Sequence, residues 1–198
     1  VDNAMVQAWR FVPQYFLGQV WQHRFPNSPG DYYRPLNILW FRVNDALFGL
    51  KPAGWHALAI LLHVFATLLA YFIARKLTGR PLVAGVTALL FGVHPMRHEV
   101  VAWVSGTTES LCGALFLLAF LMYLKSCERD RTRWMTLSCL FYSAALLAKE
   151  TAIVLPAVIF AHAWLYRGAP AGSPPAERSG GLAKAAKTAS VYLPLAMA

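Results

Sequence analysis

Five residues with chemical or conformational leverage, His94, Pro95, Arg97, His98 and Glu99, crowd into six positions of the stretch "GVHPMRHEVVAWVSG" (92–106). The runs on either side are apolar. Glu99 is an acid held where protein meets water, and such groups are candidates for a functional site. His94 and His98 stand four apart, a spacing that can present two metal ligands on one helical face. Pro95 separates them, however, and no third ligand lies close in sequence, so capping or anion contact is the better reading. Two further sites carry charge. Arg34, in "DYYRPLN" (31–37), is suited either to binding an anion or to anchoring at lipid headgroups. Lys149-Glu150 breaks an apolar run as a solvated turn or as part of a site. Three cysteines, Cys112, Cys127 and Cys139, lack metal spacing and read as unpaired thiols.

These residues need elements to position them. Pro95 suits the first position of a helix, where no N–H partner is lost, and Glu99 near that start is favoured by the helix dipole. Met96, Val100, Trp103 and Val104 follow at helical spacing and give an apolar stripe. The segment reads as a short interfacial helix of about three turns, with Glu99 flanking the stripe. A bilayer core takes roughly 20 apolar residues to cross as a helix. Residues 54–74 form such a run, and residues 82–94 form a shorter one. Residues 107–124, 135–148 and 151–166 form three more. One continuous helix over 135–166 would be about 48 Å long against a core of about 30 Å. It would also bury Lys149 and Glu150, so a hairpin turning at that pair is preferred. His63 and His162, inside these runs, suit hydrogen bonds to neighbouring helices.

The fold class expected is all-α, a multispanning transmembrane bundle of about five complete spans plus a truncated sixth. The sixth is "SVYLPLAMA" (190–198). Two regions follow. Residues 1–53 form an outer-face loop with an aromatic-rich surface segment around Pro13, and residues 54–198 form the transmembrane helical domain. The start at Val1 and the short last run are those expected of a fragment.

Composition supports a membrane class. Of the 198 residues 58% are hydrophobic and only 14% are charged, where soluble domains carry about 25% charged residues. The net charge of +9 raises nucleic-acid binding, but no basic stripe with interleaved aromatics exists, so no nucleic-acid partner is expected. The charges cluster between apolar runs. Segments 75–81, 125–134 and 167–188 share one side and hold eleven Lys or Arg in 39 residues. The opposite side holds seven in 71. Positive residues mark the cytoplasmic side, which puts residues 1–53, 95–110 and the 149–150 turn on the outer side. The expected place is an integral, multi-pass position in the bacterial inner membrane, or in the endoplasmic reticulum if the source is eukaryotic.

Three motifs in order, "YYRPLNILWFRVNDALFGLKPAGWHALAILLH" (32–63), "ALLFGVHPMRHEVVAWVSGTTESLCGALFLLAFLMYL" (88–124) and "LLAKETAIVLP" (146–156), carry a resemblance. Together they resemble the membrane part of the transmembrane O-mannosyltransferases that bear tetratricopeptide repeats, and their bacterial relatives, in the GT-C superfamily. The resemblance covers about residues 32–166. It implies an enzyme that takes a mannose-like sugar from a polyprenyl-phosphate donor and passes it, on the outer or lumenal face, to a hydroxyl of a protein or glycan acceptor. By position, the family's Arg of a "YRPL"-like motif falls on Arg34, its "HP…E" motif on His94, Pro95 and Glu99, and its Lys-Glu turn on Lys149 and Glu150. The family commonly reads Gly-Arg-Ala-Asp/Glu where this chain has Gly106-Thr107-Thr108-Glu109, so Glu109 matches and Thr107 departs. The superfamily's acidic pair, the expected main base and metal ligand, would fall upstream of Val1.

The implied chemistry accounts for the residue types. A phosphate leaving group needs cations against its developing charge, and Arg34, Arg97 and Lys149 are the candidates, with His94, His98 and Glu150 beside them. An acceptor hydroxyl needs a general base, for which Glu99 and Glu109 are the candidates in this chain. A divalent metal is a further expectation, without a metal site assigned to these residues. The rival reading is a non-catalytic membrane scaffold or a degenerate relative of the family. Transport is disfavoured, because ionisable groups crowd the rim instead of the mid-span.

Overall fold

The computed structural model describes residues 8–17, 33–128, 130–167 and 190–192, and among them every regular element is a helix. Around Pro13 a 3-10 turn, Trp9–Phe11, leads into one helical turn, α1 (Val12–Tyr15). The next three helices each carry proline in the first turn, where the missing N–H is no loss. They are α2 (Pro35–Phe48), α3 (Pro52–Thr78) and α4 (Pro81–Gly92). Gly79 closes α3 in the left-handed region at φ 68°, a conformation that glycine adopts without Cβ strain. Arg75 and Lys76 occupy the last turn, where the helix dipole favours cations. Then come α5 (His98–Ala102), α6 (Thr107–Ser126), α7 (Arg131–Ala148) and α8 (Leu155–Arg167).

The expectation of five complete spans is confirmed only in part. Among the described residues two helical stretches are long and apolar enough to cross a membrane, Pro52–Thr78 and Val104–Ser126. The other three fall short for separate reasons. At 12 residues, α4 reaches about 18 Å, because the turn before Pro95 cuts it off. The first turn of α7 carries Arg131 and Arg133, and its apolar part is correspondingly short. The run of residues 150–165 is apolar but short. Of the truncated sixth span only residues 190–192 are described, and they form a turn. Residues 193–198 lie outside the described residues.

Side-chain contacts fix the topology. His63 in α3 donates from Nε2 to the Gly92 carbonyl at 3.0 Å, so α4 runs antiparallel to α3. The lack of a side chain at Gly92 permits this approach, since a Cβ there would lie 3.2 Å from Thr67 Cγ2. Lys76 pairs with Glu128 at 2.5 Å, which puts the C-terminal ends of α3 and α6 together. Ser138 in α7 donates to the Ala119 carbonyl of α6 at 2.7 Å, while Lys149 meets Glu109. Those two contacts make α7 antiparallel to α6. The chain then reverses at Lys149, which is extended at φ −161°, ψ 140°, and a 3-10 stretch, Glu150–Val154, leads into α8. Cys112 lies 3.8 Å from Thr151 and Tyr123 OH lies 3.1 Å from His162 Nδ1, so this arm runs parallel to α6. A hairpin thus replaces the single long helix, as the sequence predicts.

The core gathers around α6. Ala119 and Tyr123 of α6 pack with Tyr142, Ala145 and Ala148 of α7 and with Leu155 and Ile159 of α8, all fully buried. Alanines recur because helices inside a membrane associate through close backbone approach, with small residues at the contact. The same logic seats α4, whose Ala84 and Ala88 are buried against α3 while Leu82, Val86, Leu89 and Leu90 face outward.

Candidate functional site: a charged end of the bundle

The antiparallel turns divide the bundle into two polar ends. One end holds Arg75, Lys76, Arg80, Lys125, Arg131 and Arg133 around the Lys76–Glu128 pair. The other gathers Arg34, Glu109, Lys149 and Glu150, four residues that sequence reasoning singled out from three separate motifs.

Arg34 precedes α2 and reaches Glu150 across 116 residues of sequence. Its Nε donates to one carboxylate oxygen at 3.0 Å and an Nη to the other at 2.6 Å. This is the two-pronged geometry that makes Arg–carboxylate pairs strong and directional. The Arg34 bonds hold the Glu150 carboxyl below its usual range, with partial burial opposing them. Directly before Glu150, Lys149 pairs with Glu109 in the first turn of α6. One peptide therefore sends a cation to α6 and an anion to the start of α2. Thr108 donates to the Asn37 side-chain carbonyl at 2.8 Å, a third tie across the same end. Cys112 sits below, 3.8 Å from both the Lys149 carbonyl and Thr151. Sequence reasoning gives no role to Asn37, Thr108 or Thr151 and reads Cys112 only as an unpaired thiol, because each cross-helix partner is at least 37 residues away.

Because the Glu150 carboxyl is depressed in the folded state, its contribution to stability is complete above the ordinary glutamate value of about 4.3. That contribution is lost as pH falls through the lower folded-state value. Wild type is expected to melt above Glu150→Gln at neutral pH, with the gap closing below about pH 4. Glu150 is 64% exposed, so the gap will be small. Thermal melts of the two proteins across pH 3–7 in detergent check this, and a gap that widens on acidification contradicts the pairing.

The opening stretch is less regular than predicted. A 3-10 turn, Pro95–Arg97, precedes α5, and Trp103 then becomes extended at φ −95°, ψ 128° before a second 3-10 turn, Val104–Gly106. The expected three-turn helix is therefore broken at Trp103, and Met96 and Trp103 are both exposed. Breaking there lets Thr107 start α6 with its hydroxyl donating to the Val104 carbonyl at 2.6 Å. Thr107 is buried, so the position where the resemblance leads one to expect Arg turns inward.

His94 lies in the turn after α4, and His98 is the first residue of α5. Glu99, in the first turn of α5, is exposed and belongs to none of the ion pairs among the described residues. Arg97 lies over the Phe91 ring at 4.6 Å. His94 and Arg97, with Leu90, Phe91 and Met96, line a shallow depression of about 470 Å³. The structure thus joins Arg34, Glu109, Lys149 and Glu150 and keeps His94 and Arg97 in a separate recess. Among the described residues no three His, Cys, Asp or Glu side chains come together to hold a metal.

Apolar helices of spanning length, buried alanine seams and a charged end define a membrane-type helical protein. Residues 34–169 match the family of dolichyl-phosphate-mannose-protein mannosyltransferases, and the chain belongs to that family. It is 37% identical to the human protein O-mannosyl-transferase TMTC4 over 166 residues, covering 70% of this chain and 22% of that protein. It is 36% identical to human TMTC1 over 140 residues, covering 65% and 16% respectively. With Drosophila melanogaster Tmtc3 it shares 36% identity over 156 residues, covering 64% and 16%. The chain thus spans about a fifth of the length of the curated relatives it matches. No solved structure matches it.

Proposed function

We propose that this chain is the membrane part of a glycosyltransferase that moves a mannose-like sugar from a polyprenyl-phosphate donor to a hydroxyl of a protein or glycan acceptor. The observation that carries the reading is the convergence of Arg34, Lys149, Glu109 and Glu150, from three motifs of a mannosyltransferase family, at one end of the bundle. In a multi-pass GT-C-like arrangement this end faces outward, opposite the end rich in Arg and Lys. Arg34 and Lys149 stabilise the departing phosphate, while the Arg97 guanidinium adds positive charge to the same end from its separate recess. Glu99, exposed and in none of the ion pairs among the described residues, and Glu109 are the carboxylates offered to take the acceptor proton.

The test is transfer of labelled mannose from a polyprenyl-phosphate donor by the full-length protein in membranes. Glu99→Ala is expected to reduce transfer by about 10²–10⁴-fold, the usual range for a positioned acid–base group, with membrane levels unchanged. Undiminished transfer removes Glu99 from the mechanism, and no transfer by the wild type rejects the reading. A second reading, a non-catalytic relative, is favoured by one observation. Both cations of the cluster are already neutralised by carboxylates, and the position of a further arginine is held by a buried Thr107.

A further inference from the structure

The recess beside α4 is chemically unlike the paired cluster. Arg97 Cζ lies over the Phe91 ring, and Phe91 in turn stacks on His63 at 6.0 Å between ring centroids and 17° between planes. His63 is itself held by the Gly92 carbonyl. A stack of three side chains rooted in α3 therefore fixes the guanidinium. No carboxylate pairs with Arg97 among the described residues. The Met96 N–H donates to His94 Nδ1 at 3.3 Å, which leaves Nε2 as the N–H end of that ring. Two donors, one with fixed charge, thus border the same depression of about 470 Å³, whose other walls are Leu90, Phe91 and Met96.

An apolar track leads away from it. Leu82, Val86, Leu89 and Val93 recur at the spacing of one helical face and are 80%, 50%, 62% and 68% exposed. Leu82, Val86 and Leu89 sit on α4 and Val93 directly follows it, and α4 packs on α3 at the edge of the bundle. The Arg34–Glu150 and Lys149–Glu109 pairs join α2, α6 and the turn after α7 instead. The length of the track discriminates among ligands. Twelve residues of helix give about 18 Å, close to one leaflet of a hydrocarbon core about 30 Å thick. A bilayer acyl chain fits that length, whereas a long polyprenyl chain overruns it. Arginine matches phosphate oxygens with two parallel N–H groups.

We propose that this recess is a binding site for an anionic phospholipid of the bilayer, separate from the site of sugar transfer. The phosphate sits on Arg97 and His94 Nε2, and an acyl chain lies along Leu82, Val86, Leu89 and Val93. The site stands whether or not the chain transfers sugar.

The test is native mass spectrometry of the full-length protein released from equimolar phosphatidylglycerol and phosphatidylcholine. Wild type is expected to retain phosphatidylglycerol preferentially, and Arg97→Ala to lose that preference by about tenfold, equivalent to about 1.4 kcal/mol. Phe91→Ala, which removes the shelf under Arg97, is expected to follow it, while Arg34→Ala keeps wild-type retention. Millimolar inorganic phosphate is expected not to displace the lipid. Equal retention by wild type and Arg97→Ala overturns the proposal. So does displacement by inorganic phosphate, which makes the recess a simple anion site. Preferential retention of a polyprenyl phosphate over phosphatidylglycerol also overturns it, because the recess then belongs to the donor.

Discussion

Arg34→Ala is expected to lower sugar transfer by about 10²–10³-fold, the usual cost of removing one donor aimed at developing negative charge. Membrane abundance should stay near wild type. Arg34 lies at the rim, and its partner Glu150 is largely exposed, so hydration of the orphaned carboxylate limits the structural damage. Arg34→Lys separates two roles. It keeps the charge but has no second prong for the carboxylate that Arg34 grips at 3.0 and 2.6 Å. Activity in Arg34→Lys is therefore expected to stay well below wild type, because the geometry is lost with the fork. The assay is initial-rate transfer normalised to protein in the membrane. Wild-type rates in Arg34→Ala would leave the pair a structural tie and favour the non-catalytic reading.

Leu155→Ala is expected to destabilise the fold by about 2–5 kcal/mol, the range for truncating a fully buried leucine. Leu155 has no exposed surface and belongs to the cluster that includes Tyr142, Ala145, Ala148 and Ala152. The helices around that cluster are tied by buried side chains on α6, α7 and α8, so most of the cavity should persist. The site should suffer as well. Leu155 begins α8 just after the Glu150–Val154 turn, so a loosened α8 frees Glu150 to leave Arg34. Thermal unfolding in detergent, followed by tryptophan fluorescence, measures the loss. A loss under about 1 kcal/mol would mean that α8 collapses onto α7 without penalty.

Much of this arrangement is legible from residue order, and the rest is hidden for identifiable reasons. Length and hydropathy locate the span inside Pro52–Thr78, because one long apolar run has few alternatives in a membrane. The reversal at Lys149-Glu150 follows from the cost of carrying two charges to mid-bilayer. His63 and His162 find partners on neighbouring helices, as polar groups inside apolar runs must. Apolar composition alone does not reveal that α4 stops at Gly92. Periodicity through "MRHEVVAWV" (96–104) suggests one helix, but the start of α6 takes the backbone at Trp103 into an extended conformation. The candidate charges are legible singly while their pairing is not. Nothing local to Arg34 announces Glu150, and Lys149 shows no preference for Glu109 until α6 and α7 lie side by side.

The two ion pairs at the charged end close loops of very different size. Lys149 meets Glu109 across 40 residues, whereas Arg34 waits for Glu150 across 116. At synthesis rates of about 5–20 residues per second, Arg34 leaves the ribosome on the order of ten seconds before its carboxylate exists. Because Lys149 and Glu150 are adjacent, neither pair can close until α7 is complete, although α2 can already rest on α3. The Arg34–Glu150 contact is therefore a late closure, made only after the whole stretch between its partners has been synthesised.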